Sequence, residues 1–219
     1  MEPGSLGTAE TTITEARIWL RQIPALHATQ MVNLHVHKSN SLIITNNTFV
    51  GYHSLQNLEF TDLAIIESVE FGTFSTMPNL QSLVAYGCVI YELGPGSLYF
   101  NPGSIKQISL HAIDKIYPGA IAGIPKGVEL HITQLHSSDL SIEIFGGLLY
   151  GGAKLRVEAP LHSCACQAAW IVRDNSSMAL NDAGAVSVMC FDFQVPNPNG
   201  YTGPPYLSSL SADDFSDCP

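Results

Sequence analysis

Eight histidines and five cysteines are the residues through which this chain could do chemistry. His35 and His37 form an H-x-H pair. Residues two apart on a strand share a face, so both imidazoles would point the same way. A carboxylate from a neighbouring strand, such as Glu59, would then complete a zinc-ligating set. The plainer reading of the pair is solvated surface histidine. Full protonation of all eight histidines would carry the net charge from −10 toward −2. Imidazole titrates between about pH 5 and 8, so pH-dependent release of a partner is one consequence to weigh. The alternative is that scattered histidines do nothing in concert.

The cysteines are Cys88, Cys164, Cys166, Cys190 and Cys218. Four of them crowd the C-terminal part, as a C-x-C pair followed by two widely separated single cysteines. Zinc prefers C-x2–4-C knuckles, so this spacing favours disulfides. Four cysteines allow three pairings, and spacing does not choose among them. Cys88 is left over and reads as a buried thiol rather than a nucleophile. Serine, histidine and aspartate are all present, but no G-x-S-x-G turn, phosphate loop, G-x-G-x-x-G, H-E-x-x-H or C-x-x-C occurs. No catalytic residue, metal or cofactor is assigned, and the chain reads as a non-enzyme.

Composition narrows the partners. The 219 residues hold 9 Lys+Arg against 19 Asp+Glu, a net charge of −10. That balance argues against nucleic acid, whose phosphates need cationic neutralisation, and against a polybasic membrane-surface mode. Apolar runs such as Leu83 to Leu93 fall far short of the ~20 residues of a membrane span. Residues 1–15 carry Glu2, Glu10 and Glu15, with neither a basic start nor an apolar stretch. They do not read as a signal peptide, although the cysteines point outside the cell. The expectation is a secreted, extracellular protein whose upstream segment is missing from this chain. Two sequons, at Asn46 and Asn175, agree with that setting.

The elements that position these residues come from an internal repeat. An apolar–x–apolar pair recurs at Leu34/Val36, Leu58/Phe60, Leu83/Ala85, Ile108/Leu110, Leu130/Ile132 and Leu155/Val157, at nearly equal intervals close to two dozen positions. Each pair predicts a short strand whose alternate side chains point inward. One such unit cannot bury its apolar face alone, so stacked parallel strands must close the core. The clearest unit is Leu80-x-x-Leu83-x-Ala85-x-x-Cys88-x-Ile90-x-x-Leu93. The next carries Ile116-Tyr117-Pro118-Gly119-Ala120-Ile121-Ala122-Gly123-Ile124-Pro125.

Over about residues 30–160 these units resemble extracellular leucine-rich repeats. The resemblance implies an α/β solenoid, a horseshoe of short parallel strands. One feature departs from the pattern. The position that usually holds a bridging Asn is Ser39, Leu63, Cys88, Ile113 and Leu135, of which only Cys88 suits the template. The unit between Gly127 and Tyr150 is ambiguous.

Past the last repeat, Cys164-Ala165-Cys166 and Ala169-Trp170-Ile171-Val172 resemble the cysteine-rich C-terminal cap of the same proteins. That resemblance implies the pairs Cys164–Cys190 and Cys166–Cys218, with Trp170 packed in a short helix. Trp19 is expected to pack in the N-terminal segment, and Pro196 to Pro205 to form a surface loop. The chain divides into an irregular segment at 1–28, repeats at 29–158 and a disulfide-bonded cap at 159–219. Roughly the C-terminal third, closing with Leu210-x-x-Asp213-x-Phe215-x-x-Cys218, is also similar to arthropod secreted proteins. These take their name from the non-catalytic subunit of oplophorus-luciferin 2-monooxygenase, a shrimp luciferase. Such a likeness implies a partner role and brings no catalytic residues with it.

Solenoids bind on their concave sheet. The register assigns that face Asn33, His35, His37, Asn57, Glu59, Thr61, Ser82, Val84, Tyr86, Gln107, Ser109, His111, Glu129, His131, Thr133, Lys154, Arg156 and Glu158. The binding candidates are His35, His37, Glu59, Val84, Tyr86, Ser109, His111, His131 and Arg156. Tyr and Arg are enriched where recognition energy concentrates. The expected function is recognition of a protein or glycan. The alternatives are a non-catalytic accessory subunit of a secreted enzyme, and a metal-dependent or hydrolytic enzyme using the surface histidines. Oligomeric state is left open.

Overall fold

The computed structural model describes residues 10–14, 25–37, 41–62, 65–135, 140–160, 166–173, 186–190, 195–196, 202–203 and 206–218. Along the chain run β1 (Glu10–Thr14), α1 (Ala25–Gln30), β2 (Asn33–His37), β3 (Ser41–Ile44), β4 (Asn57–Thr61), β5 (Ile65–Val69) and β6 (Ser82–Leu93). Then follow β7 (Leu98–Tyr99), β8 (Gln107–Ile116), β9 (Ile121–Ala122), β10 (Glu129–Leu135), α2 (Ile142–Tyr150) and β11 (Lys154–Pro160). The last elements are α3 (Ala169–Arg173), β12 (Val186–Val188), β13 (Val195–Pro196) and β14 (Thr202–Gly203).

One parallel ladder organises the molecule, in the order β1-β2-β4-β6-β8-β10-β11-β12. Its register puts Leu34 beside Leu58, Leu58 beside Leu83, Leu83 beside Ile108, Ile108 beside Leu130 and Leu130 beside Leu155. Val36, Phe60, Ala85, Leu110, Ile132 and Val157 form a second column in the same register. All twelve side chains are at most 2% exposed. Each fully buried Leu or Phe contributes about 1.5–3 kcal/mol, and only stacking gives it that burial.

The ladder runs past both ends of the 29–158 block. The sequence predicts an irregular segment over residues 1–28, yet Glu10–Thr14 pairs with β2, Thr11 opposite Leu34 and Ile13 opposite Val36. Thr and Ile suit a strand, and Ile13 precedes Val36 by close to one repeat length. At the other end Val186 and Val188 lie opposite Leu155 and Val157.

Four consecutive turns then bend into a second β stretch. β3 pairs β5, β5 pairs the later half of β6, and that half pairs the later half of β8. Leu42, Ile66, Ile90 and Ile113 align there, as do Ile44, Val69, Leu93 and Ile116. A register shift between Ala85 and Val89 marks the corner, where Asp62 and Gly87 take left-handed backbone at φ 53° and 67°. On the third side the turns still meet through backbone: Gly72 N–H donates to Gly96 O at 3.0 Å, and Leu98 N–H to Ala120 O at 2.8 Å. Gly123, at φ +77°, leaves no room there for a side chain, since a Cβ would land on the carbonyl oxygen of Phe100.

Phe49, Phe74 and Phe100 stack through the interior at 6.4 and 5.5 Å between ring centroids. Buried hydroxyls close the turns beside them. Ser97 Oγ lies 2.7 Å from both Val69 O and Gly94 O, with one proton to donate between them, and Thr73 Oγ1 donates to Glu70 O at 2.8 Å. Where a bridging Asn would usually stand, Cys88, Ile113 and Leu135 lie in the core. Bridging falls to other asparagines. Asn79 Nδ2 donates to His53 O and Asn101 Nδ2 to Ser75 O, both at 2.6 Å and both across neighbouring turns.

Helix is a small share of the fold: α1, α2 and α3 hold 6, 9 and 5 residues. They fall between ladder strands at the two ends, α1 between β1 and β2, α2 between β10 and β11 and α3 between β11 and β12, whereas the connections from β2 to β10 contain no α-helix among the described residues. The architecture is a parallel-strand β-solenoid of about five turns with a disulfide near the C-terminus.

That disulfide joins Cys166 to Cys218 with Cα atoms 5.1 Å apart, the pairing implied by the cap resemblance. Cys190 is also disulfide-bonded, and Cys164, its expected partner, lies outside the described residues. Trp170 packs against the core from α3, and its Nε1–H donates to Leu140 O at 2.7 Å. Arg173 Nη2 donates to Phe215 O and Cys218 O, each at 2.9 Å, tying the cap together. The Pro196–Pro205 stretch holds the short antiparallel pair β13–β14. Trp19 lies outside the described residues.

Candidate functional site

The polar face of the first ladder is built by the same register that builds the core. Inward columns fix their neighbours outward, because side chains alternate along a strand. One outward row runs Asn33, Asn57, Ser82, Gln107. The middle row runs His35, Glu59, Val84, Ser109, His131, Arg156. A third begins His37, Thr61, Tyr86. His111, Thr133 and Glu158 continue it on their own strands, two positions beyond Ser109, His131 and Arg156. All nine binding candidates therefore lie on one face.

Most of these side chains hold one another. Asn57 Nδ2 donates to Asn33 Oδ1 at 2.6 Å. His35 Nδ1 stands 2.8 Å from Glu59 Oε2. His35 of the H-x-H pair thus faces Glu59 across the strands, and no group of three His, Cys, Asp or Glu suited to a metal forms among the described residues. Glu158 Oε1 accepts from Arg156 Nη2 at 2.9 Å and lies 3.0 Å from His131 Nε2. The second contact has ion-pair distance, but the ring nitrogen makes no aligned hydrogen bond. Glu158 is a site residue absent from the nine candidates; its place two positions from Arg156 was the available signal.

At the centre Tyr86 is 65% exposed, its ring 5.5 Å from that of His111 and tilted by 57°. The Nδ1 of His111 is shielded from solvent and has no hydrogen-bond partner among the described side chains and backbone. Beside it Ser109 Oγ lies 3.4 Å from His131 Nδ1. Ser109, His131 and Glu158 thus form a chain shaped like a nucleophile, base and carboxylate. Acyl transfer also needs donors for the oxyanion. On this face the backbone N–H groups are engaged in the parallel ladder, and Arg156 is bound to Glu158.

Away from this face, a cavity of about 180 Å³ lies between β9 and α2, lined by Ile121, Ala122, Gly123, Ile124, Gly147 and Leu148. None of these side chains titrates. Cys88 is buried, and burial pushes its thiol up to about 11, so it is a poor nucleophile near neutral pH. Asn46 sits exposed in a turn, with its N–H donating to Glu70 Oε2 at 2.9 Å; Asn175 lies outside the described residues. No helix is long and apolar enough to cross a membrane among the described residues. No model of a known protein family matches the chain, and no curated protein matches it significantly.

Proposed function

We propose that this chain is an extracellular recognition module that binds a protein or glycan through the polar face of its first ladder, and that it is not an enzyme. The observation that carries the reading is the face itself. Six strands in register present three side chains each, and an exposed Tyr86 stands at the middle. A rigid sheet fixes those side chains in advance, which lowers the entropic cost of binding. The leucine-rich repeat relationship, with its C-terminal cap, is part of this proposal. It is supported by the regular repeat period and by the Cys166–Cys218 bond. Secretion is supported by the same bond.

The test is native co-purification from extracellular fluid, with mass spectrometry of what elutes, repeated with the Tyr86→Ala, His111→Ala double variant. A partner lost in the variant supports the reading. One retained by the variant counts against this face. A single stoichiometric enzyme as partner would favour the accessory-subunit role. Peptides of this chain found only inside cells would overturn secretion.

A further inference from the structure

We infer that the face around Tyr86 and His111 takes an uncharged oligosaccharide, laid across the strands. The inference rests on the recognition reading above and names the ligand class. Charge is the first argument. The chain carries −10, yet the eighteen outward side chains hold two cations, Lys154 and Arg156, against Glu59, Glu129 and Glu158, a net of −1 with neutral histidines. Even these are matched locally. Glu59 is beside His35, Glu158 is held by Arg156, and Glu129 is in register with Lys154. What is left over is a single negative charge, too little to hold a strongly charged ligand.

Apolar content is the second argument. Among the eighteen, Val84 and Tyr86 are the large apolar or aromatic side chains apart from imidazole. The centre of a protein interface is richer in aromatic and apolar residues than this. The rest are amides, hydroxyls, carboxylates, imidazoles and the two cations at one end, which together supply donors and acceptors to neighbouring hydroxyls. The amide row is already oriented by the Asn57–Asn33 bond, so little ordering remains to be done on binding. An exposed tyrosine ring offers its face to the C–H side of a pyranose, and its hydroxyl remains wet. Strands repeat at ~4.8 Å, close to the length of one pyranose residue in an extended chain. Successive sugars would meet equivalent positions on successive strands.

The experiment is isothermal titration of the full chain with cellohexaose, chitohexaose and maltohexaose, and with a heparin hexasaccharide and hexagalacturonate as charged comparators. Binding of at least one neutral sugar is expected, unchanged between low and high salt. Tyr86→Ala should weaken it by about tenfold or more. Tyr86→Phe should retain it, and Phe71→Ala, on another side of the solenoid, should leave it intact. Binding of charged sugars alone would overturn the inference. So would binding of none of the five. In that case a protein whose capture is abolished by Tyr86→Ala would leave the recognition face standing with a protein as its ligand. Capture indifferent to Tyr86 and His111 would remove the face as well.

Discussion

Phe74 is the strongest test of how this solenoid is held together. Its ring is 2% exposed and stacks between Phe49 at 6.4 Å and Phe100 at 5.5 Å. Truncating a buried Phe to Ala costs about 3–5 kcal/mol, the larger values arising where the site cannot collapse. Here the walls are laddered to their neighbours on several sides, and two ring contacts of about 0.5–1.5 kcal/mol each are part of the loss, which favours the upper end of that range. Phe74→Ala should therefore cost about 4–5 kcal/mol, a large part of the ~5–15 kcal/mol typical of a whole domain. Phe74→Leu, which keeps most of the volume but loses both ring contacts, should cost less, about 1–3 kcal/mol. The assay is urea unfolding of the oxidised protein, followed by circular dichroism and by hydrogen exchange resolved along the chain. Because turns couple mainly to adjacent turns, protection should fall first in residues 41–100 and last in β10 and β11. A cost below about 1 kcal/mol, or exchange that rises evenly everywhere, would refute the stacked-ring account.

The cap, the buried weak acids, the third side and the surface each yield a further test. Cys166 and Cys218 are 52 residues apart, so Cys166→Ala should lower stability by up to about 4 kcal/mol in urea titrations, by the loop-entropy relation. Burial raises Cys88 from 9.0 to about 11 and Tyr52 from 10.0 to about 12. Each raised pKa favours the protonated, folded form, so stability is fully present below pH 9 and declines as pH rises through these windows. Cys88→Ala should delay the alkaline loss of the thermal midpoint from near pH 9 to near pH 10. Gly119→Ala meets open space and bears only backbone strain at φ +74°, whereas Gly123→Ala also strikes Phe100 backbone. The first should cost about 1–2 kcal/mol, and the second should exceed it clearly in the same melt. Secreted from eukaryotic cells, the protein should lose mass on N-glycanase treatment, and Asn46→Gln should reduce that loss.

The first ladder is legible because burial imposes a strict alternation, and a six-fold recurrence of apolar–x–apolar has few other causes. The face follows from it, since a strand with Leu58 and Phe60 inside must have Asn57, Glu59 and Thr61 outside. Two strands escape for opposite reasons. In β1 the position opposite Leu34 is Thr11, which breaks the apolar pair although Ile13 keeps the period. In β12 the apolar pair is intact, but the step from Leu155 to Val186 is longer than any other in the ladder, so the period is lost. The second β stretch is also periodic, with Leu42, Ile66, Ile90 and Ile113 recurring at nearly the same interval as the first. A repeat template that expects a loop there hides it. What spacing cannot supply is the partnership of side chains. Whether His35 turns to Glu59, or His131 to Glu158, depends on rotamers that the strand register permits without selecting.

The ladder joining each turn to the next has a mechanical consequence. Pulled along the solenoid axis, such a molecule does not shear a whole sheet at once; it yields one coil at a time from an end, breaking the few backbone bonds that hold that coil. Each coil, about two dozen positions long, would release about 70–90 Å of chain at ~3.3–3.6 Å per residue. The Cys166–Cys218 crosslink sets where that unravelling must stop at the C-terminal end, so extension under load would begin in the opposite half and proceed toward the cap.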